Sequence, residues 1–289
     1  MKSIVPREVM RGQENWLKRI IKNNHTLYSA VYKLTRCNYP LYVLKNLRMD
    51  TDKLFNNIAI ETVSVCNRRC PFCPMSKDSG PKGLMPEKLF DKILKELKEL
   101  NFKDRVAFSN YGEPLLDTRL PRFVKKVRDE LDPAIIWVST NGDFLTSKKF
   151  RELVTAGMTV FHVAQHDAEP SEAVKELFSV ITRDEWKYIS YEVVGENTVT
   201  LNNRAGSVDV ETFYPFNCAP QYLIVRWNGE VCMCCNDYYN EVKLGNINDE
   251  KLIDVWNKPF YRKIRDDIKR GKFNLDTCRR CLGIKSMKK

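Results

Sequence analysis

Ile58-Ala59-Ile60-Glu61-Thr62-Val63-Ser64-Val65 runs directly into Cys66-Asn67-Arg68-Arg69-Cys70-Pro71-Phe72-Cys73-Pro74. The first half is an apolar stretch that reads as a strand. The second half places three thiols within eight positions, spaced by three residues and then by two. Thiolates this close can all bind one metal centre, and three is one fewer than a closed four-ligand site needs. A structural zinc site would have to borrow its fourth ligand, and zinc knuckles favour paired Cys-x-x-Cys units. An iron–sulfur cluster held by three cysteines instead keeps one iron open for a small molecule.

Forward from this loop, strands and helices alternate. Pro86 opens a helix reaching Leu100, with Leu89, Phe90, Ile93, Leu94, Leu97 and Leu100 on one face. Arg105-Val106-Ala107-Phe108-Ser109-Asn110 reads as a second strand, and a basic helix from Leu120 to Leu131 follows. Ile135-Ile136-Trp137-Val138-Ser139 is a third strand, ending in Thr140-Asn141-Gly142. A helix over 147–156 stops at Gly157, a residue suited to a left-handed cap. Thr159 to Val163 gives a fourth strand, 170–180 a helix and 188–194 a fifth strand. This rhythm predicts an α/β fold with a parallel sheet. Functional residues are then expected at the carboxyl ends of the strands. After about residue 213 the pattern changes: Tyr222–Trp227 and Glu230–Met233 flank Asn228-Gly229, a hairpin signal. A last helix, about Lys251 to Arg270, is kinked or divided by Pro259.

Composition narrows the class. The 289 residues suit one large or two modest domains, with 43% apolar and 29% charged residues. No apolar run approaches a membrane span, and the start of the sequence carries no signal-peptide pattern, so a cytoplasmic location is expected. Nine of the ten cysteines fall at 66–73 and 218–281, which argues for metal ligands in a reducing compartment rather than a disulfide scaffold. Cys37 stands apart and reads as a structural thiol. The formal charge is +11, and residues 1–54 hold eleven Lys/Arg against four Asp/Glu. That basic segment reads as a solvated helical extension, with peripheral membrane contact as its alternative and no nucleic acid expected.

At Cys66, Cys70 and Cys73, with Phe72 before the last thiol and a strand before the first, the sequence resembles the radical S-adenosylmethionine (SAM) superfamily. The resemblance implies a four-iron, four-sulfur (4Fe-4S) cluster whose open iron is chelated by SAM, with reductive cleavage giving a 5′-deoxyadenosyl radical. It also implies a low-potential reducing partner such as flavodoxin or ferredoxin. Asn110-Tyr111-Gly112-Glu113-Pro114 lies where relatives carry a Gly-Gly-Glu that binds the SAM amine, with Tyr111 in place of the first glycine. Ser139-Thr140-Asn141-Gly142 lies where relatives bind the ribose or the SAM carboxylate. Phe72, Gly112, Glu113, Ser139, Asn141 and Glu192 are thus the expected cofactor-binding residues.

The C-terminal thiols carry a second resemblance. Cys218, then Gly229 with Cys234 five positions on, then Cys278-x-x-Cys281, are similar to the SPASM or shortened "twitch" domain, which implies an auxiliary 4Fe-4S cluster on Cys218, Cys234, Cys278 and Cys281. Zinc would accept the same thiolates. The expected architecture is a partial (β/α) barrel of radical SAM type and a small cysteine-rich domain of hairpin plus helix. The boundaries fall at 1–56 for the basic extension, 57–213 for the radical SAM core and 214–289 for the auxiliary domain.

Cys232 on an alternating strand reads as structural. Cys235 adjoins Cys234, and in extended chain the two would face opposite ways. One then binds the cluster and the other is a spare ligand or faces the active site, where family epimerases use a free cysteine as hydrogen-atom donor. His166, with Gln165 and Asp167, follows the fourth strand, and Arg204 in Leu201-Asn202-Asn203-Arg204-Ala205-Gly206 follows the fifth. His166 and Arg204 are candidates for proton handling or anion binding, whereas His162 reads as packed within its strand.

Epimerisation of a small carbohydrate-like substrate, with Cys235 as donor, is therefore the leading expectation. The alternatives are a dehydrogenase that passes an electron to the auxiliary cluster, and a peptide-modifying maturase. A non-enzymatic cluster carrier would have no use for Gly112, Glu113 and Asn141.

Overall fold

Residues 53–78, 80–194, 202–210, 218 and 221–282 are described by a computed structural model. The expectations for residues 1–52, Cys37 included, and for Leu201 lie outside them. The opening apolar stretch forms β1 (Asn57–Ile60), shorter than its sequence signal. Beyond it Val63 makes only an isolated bridge to Leu84, because the chain is already turning toward the cysteine loop.

β1 pairs in parallel with β2 (Arg105–Phe108), β2 with β3 (Ile135–Thr140), β3 with β4 (Val160–Gln165), and β4 with β5 (Ile189–Val193). Between them run α1 (Glu87–Glu99), α2 (Leu120–Leu131), α3 (Ser147–Ala156) and α4 (Glu172–Val180). Local chemistry sets these bounds. Pro86 is the N-cap of α1, and Thr146 and Ser171 cap α3 and α4 by accepting from Lys149 N and Val174 N. Gly157 ends α3 at φ 110°, as a left-handed cap requires.

The hairpin after residue 220 continues the same sheet. β6 (Tyr222–Val225) pairs in parallel with β1, Ile58 opposite Leu223, and antiparallel with β7 (Val231–Cys232). The sheet is therefore seven-stranded in the order β5-β4-β3-β2-β1-β6-β7. Beyond it lie α5 (Leu252–Asn257), α6 (Pro259–Lys269) and α7 (Asp276–Cys281), with Pro259 dividing the predicted single helix.

Strand alternation gives the sheet two unlike faces. Ile58, Ile60, Val106, Phe108, Ile136, Val138, Phe161 and Val163 belong to the large core under the helices. The other face carries a small cluster of Ala59, Ala107, Ile224 and Cys232 with Trp137 and Tyr222 packed on it. Small and polar side chains on this inner face leave room and hydrogen-bonding partners for a ligand.

Candidate active site

The cysteine loop is pinned by groups from the ends of three other strands. Gly112, after β2, sits so close to Val63 that a Cβ there would lie 1.8 Å from the Val63 carbonyl oxygen. Only glycine allows this approach. Next along, Glu113 N donates to Val65 O at 2.9 Å, which ties the β2 loop to the lead-in of Cys66.

The Glu113 side chain, 3% exposed, is occupied by the chain itself. Its Oε1 accepts from Thr140 Oγ1 (2.8 Å) and Leu115 N (3.0 Å), and its Oε2 accepts from Asn141 N (2.9 Å). Burial raises its pKa against the pull of these donors. The carboxylate expected to meet an ammonium thus joins the β2 loop to the β3 loop, and it is the Asn141 side chain that reaches the cysteine loop. Asn141 Nδ2 donates to Asn67 Oδ1 at 2.9 Å and lies 3.9 Å from Cys66 Sγ.

Sequence reasoning passed over the strongest anchor. Arg68, inside the cysteine loop, donates from Nε and Nη2 to Asp143 (2.7 and 2.5 Å) and from Nη1 to Asp167 (2.6 Å). Burial opposes ionisation of Asp143, but the bonds from Arg68 and Asn67 hold its carboxyl below the usual range. The available signal was an arginine between the thiols and aspartates directly after two strand ends.

Phe72 stacks on His166, with ring centroids 5.4 Å apart and planes at 26°. His166 Nδ1 is buried without a hydrogen-bond partner, and burial, then the Arg68 charge, lowers its pKa, so the ring is neutral at pH 7. On the inner face Ser139 Oγ accepts from Trp137 Nε1 (2.8 Å), and His162 stacks on Trp137 at 5.3 Å. His162 also meets Ser190 Oγ at 3.4 Å and Glu192 Oε2 at 3.7 Å. The strand histidine expected in the core therefore stands beside Glu192 in this polar row, and burial keeps it neutral.

Arg204 lies in a turn where it and Ala205 both hold left-handed backbone, φ 45° and 55°. Such conformations are costly for residues with a Cβ and cluster at functional sites. Arg204 Nη1 donates to Asn236 Oδ1 at 3.0 Å, and no described carboxylate forms an ion pair with it. Its charge is felt by both Cys73 and Cys281, so it lies within electrostatic reach of both thiol groups. Tyr111, the departure from the glycine pattern, also bridges them: its hydroxyl donates to the Cys235 carbonyl, and its ring packs edge-on to Tyr238 at 4.6 Å.

Cys218, Cys234 and Cys281 are half-buried, Cys278 is buried and Cys235 is exposed. Burial pushes Cys218 and Cys278 up to about 12 as free thiols. The alternation argued for Cys234 and Cys235 does not apply, because strand pairing ends at Cys232 and both lie in the following turn, closed by Asp237 N donating to Cys234 O at 3.1 Å.

In chemistry these donor sets fit iron–sulfur clusters; among the described residues no three of the side chains are gathered so as to hold a bare metal ion. All nine described cysteines are free thiols, the soft donors that such clusters take. N–H groups already point at sulfur: Arg68 N at Cys66 Sγ (3.4 Å) and Asn236 Nδ2 at Cys281 Sγ (3.2 Å).

Comparison with known proteins gives the class. Residues 60–192 match the family model of the radical SAM superfamily, and residues 218–282 match the SPASM iron–sulfur cluster-binding domain. The chain belongs to the radical SAM superfamily and carries a SPASM region, and it uses SAM, a SAM-binding cluster and an auxiliary cluster.

Among its relatives, the S-adenosyl-L-methionine-dependent 2-deoxy-scyllo-inosamine dehydrogenase of Niallia circulans is 30% identical over 244 residues, 81% of this chain and 95% of that protein. The crystal structure of BtrN in complex with AdoMet and 2-DOIA superposes with a TM-score of 0.72 at 30% identity, covering 78% of this chain and 92% of that one. The AdoMet-bound structure of anSMEcpe (TM-score 0.53, 13% identity, 79% of this chain and 87% of that one) shares the fold. No helix among the described residues is long and apolar enough to cross a membrane.

Proposed function

We propose that this enzyme oxidises a secondary alcohol of a small aminocyclitol-like substrate to a ketone. The observation that carries the reading is the similarity to a dehydrogenase across 95% of that protein's length. It displaces epimerisation, which sequence reasoning put first on the strength of the Cys234–Cys235 pair. Cys66, Cys70 and Cys73 would hold the SAM-binding cluster, and Cys218, Cys234, Cys278 and Cys281 the auxiliary one. Bound there, SAM and its cluster supply the acceptor for a substrate hydrogen atom, and the auxiliary cluster supplies an acceptor for one electron.

The chain's own residues account for orientation and for the proton. Arg204, a guanidinium with no carboxylate partner among the described residues, is suited to hold a substrate oxygen within reach of both thiol groups. It stays charged and so is a poor proton acceptor. His166, kept neutral by burial and with Nδ1 unpartnered, is the better candidate for taking the hydroxyl proton. The polar row of Ser139, His162 and Glu192 is suited to hydroxyl and amine groups of a ligand. A reductant such as flavodoxin or ferredoxin would start each turnover.

The test is anaerobic incubation of the reconstituted enzyme with SAM, a chemical reductant and 2-deoxy-scyllo-inosamine in deuterium oxide. A ketone two mass units lighter than substrate, formed with 5′-deoxyadenosine, is the expected product. Recovery of an inverted alcohol carrying solvent deuterium, and its loss in Cys235→Ala, would restore epimerisation in place of oxidation.

A further inference from the structure

One hydrogen-bond chain connects Arg204 to Cys281, one of the thiols assigned to the auxiliary cluster, and the proposed reaction makes no use of it. Arg204 Nη1 donates to Asn236 Oδ1 at 3.0 Å, and Asn236 Nδ2 donates to Cys281 Sγ at 3.2 Å. The amide's orientation follows from chemistry. A guanidinium can only donate, so the atom facing it is the amide oxygen, which leaves the nitrogen toward sulfur. The N–H that reaches this thiol is therefore oriented by Arg204, a residue of the 204–206 turn.

That turn is held in a shape residues with side chains seldom adopt. Arg204 and Ala205 are both left-handed, followed by Gly206 at φ 87°. The surroundings over-determine it: Asn202 Oδ1 accepts from Arg204 N (2.9 Å), Asn203 Oδ1 from Gly206 N (3.3 Å), and Ala205 O from Arg280 Nε (2.8 Å). Asn203 Nδ2 in turn donates to Arg280 O at 2.8 Å, one residue before Cys281. The strained turn and the Cys278-x-x-Cys281 helix are locked together, which fixes Arg204 relative to the helix that carries Cys281.

Hydrogen bonds to cluster sulfurs, and positive charge nearby, favour the reduced form of an iron–sulfur cluster, because reduction adds negative charge that they stabilise. We infer that Asn236, polarised by Arg204, raises the reduction potential of the auxiliary cluster and thereby makes it a better electron acceptor. Asn236 is a positioning residue in this account: it acts through Cys281. The use made of the raised potential rests on the dehydrogenase reading, but the potential itself does not, since it is measured without substrate.

The experiment is a redox titration of the full chain carrying Cys66→Ala, Cys70→Ala and Cys73→Ala, so that only the auxiliary cluster is followed by electron paramagnetic resonance. Asn236→Leu removes the N–H donor at similar size. It is expected to lower the reduction equilibrium constant about tenfold, or about 59 mV for one electron. Asn236→Asp keeps the acceptor for Arg204 but sets a carboxylate oxygen against sulfur, and should lower it further. Arg204→Gln, which removes the polarising charge, should give a loss in the same direction. An unchanged potential in both Asn236 variants at four irons per chain would overturn the inference. So would loss of iron in both, because the amide would then hold the cluster rather than tune it. A lowered potential in an enzyme that nevertheless yields an inverted alcohol would keep the tuning and refute the dehydrogenase reading.

Discussion

Replacing Glu113 by Gln separates a carboxylate that supports the site from one that binds cofactor. In the wild type the two carboxylate oxygens accept three hydrogen bonds, from Thr140 Oγ1, Leu115 N and Asn141 N. A glutamine can keep its oxygen toward Thr140 and Leu115, but its NH₂ then faces the Asn141 N–H, donor against donor. One hydrogen bond is lost and a buried N–H is left unpaired, which together cost about 3 kcal/mol. For a chain of this size that corresponds to a fall of roughly 6 °C in Tm.

The pH dependence carries a sign. Burial raises the Glu113 pKa above 4.5, so the native state binds this proton more tightly than the unfolded chain. The stability the group contributes is fully present below 4.5 and is lost as pH rises through the native value. The deficit of Glu113→Gln should therefore be larger at pH 4.5 than at pH 8. Thermal unfolding of the two proteins at both pH values measures it, with SAM binding followed alongside. An unchanged Tm together with abolished SAM binding would refute the reasoning, because the carboxylate would then be spending its charge on the cofactor.

Three further outcomes are expected. Gly112→Ala drives a methyl group into the Val63 carbonyl. Because Glu113 on one side and Val65 on the other resist movement, it should cost about 3 kcal/mol in chemical denaturation; a loss under 1 kcal/mol would mean the loop yields freely. Asp143→Asn removes the bidentate acceptor of Arg68 and should speed iron release to a chelator several-fold at pH 7. In the wild type this support is present above pH 3.8 and lost as pH falls through the depressed value of Asp143, and release rates that ignore pH across that range would contradict it. Anaerobic reconstitution should give about eight irons per chain, and about four when Cys66, Cys70 and Cys73 are all Ala. A count of four in the unaltered protein would remove the auxiliary cluster.

Much of the scaffold could be read locally. Pro86, Thr146, Ser171 and Gly157 mark helix ends by rules that act within one turn, and the structure places α1, α3 and α4 accordingly. The thiol spacing gave both cluster regions for the same reason: ligand sets leave short sequence intervals. What could not be read is non-local. Nothing in Tyr222–Val225 says that it pairs with a strand some 165 positions earlier rather than only with its hairpin partner. The left-handed Arg204 and Ala205 carry no sequence mark, since glycine is the usual sign of such backbone. Glu113 matched a pattern, and pattern alone does not reveal that Thr140 and Asn141 would claim its oxygens.

The pairing of β6 with β1 changes how the two cluster regions relate. β1 leads into the first cysteine loop and β6–β7 into Cys234, so adjacent, hydrogen-bonded strands deliver both. Their ends are tied by charge: Glu61, 2% exposed, lies 3.7 Å from Arg226, and also accepts from Asn110 Nδ2 at 3.0 Å and Tyr111 N at 3.2 Å. Above this pair the Tyr238 hydroxyl donates to Asp78 and meets Met75 Sδ at 3.3 Å, both just past Cys73, while Tyr111 reaches the Cys235 carbonyl. An auxiliary domain on a linker could swing. This one shares the sheet and is stitched to the first loop at several points. Electron transfer depends steeply on distance, and a substrate radical has little time to wait for a domain to close. On the dehydrogenase reading, a second cluster held by the same sheet suits an acceptor that must take one electron as the proton leaves.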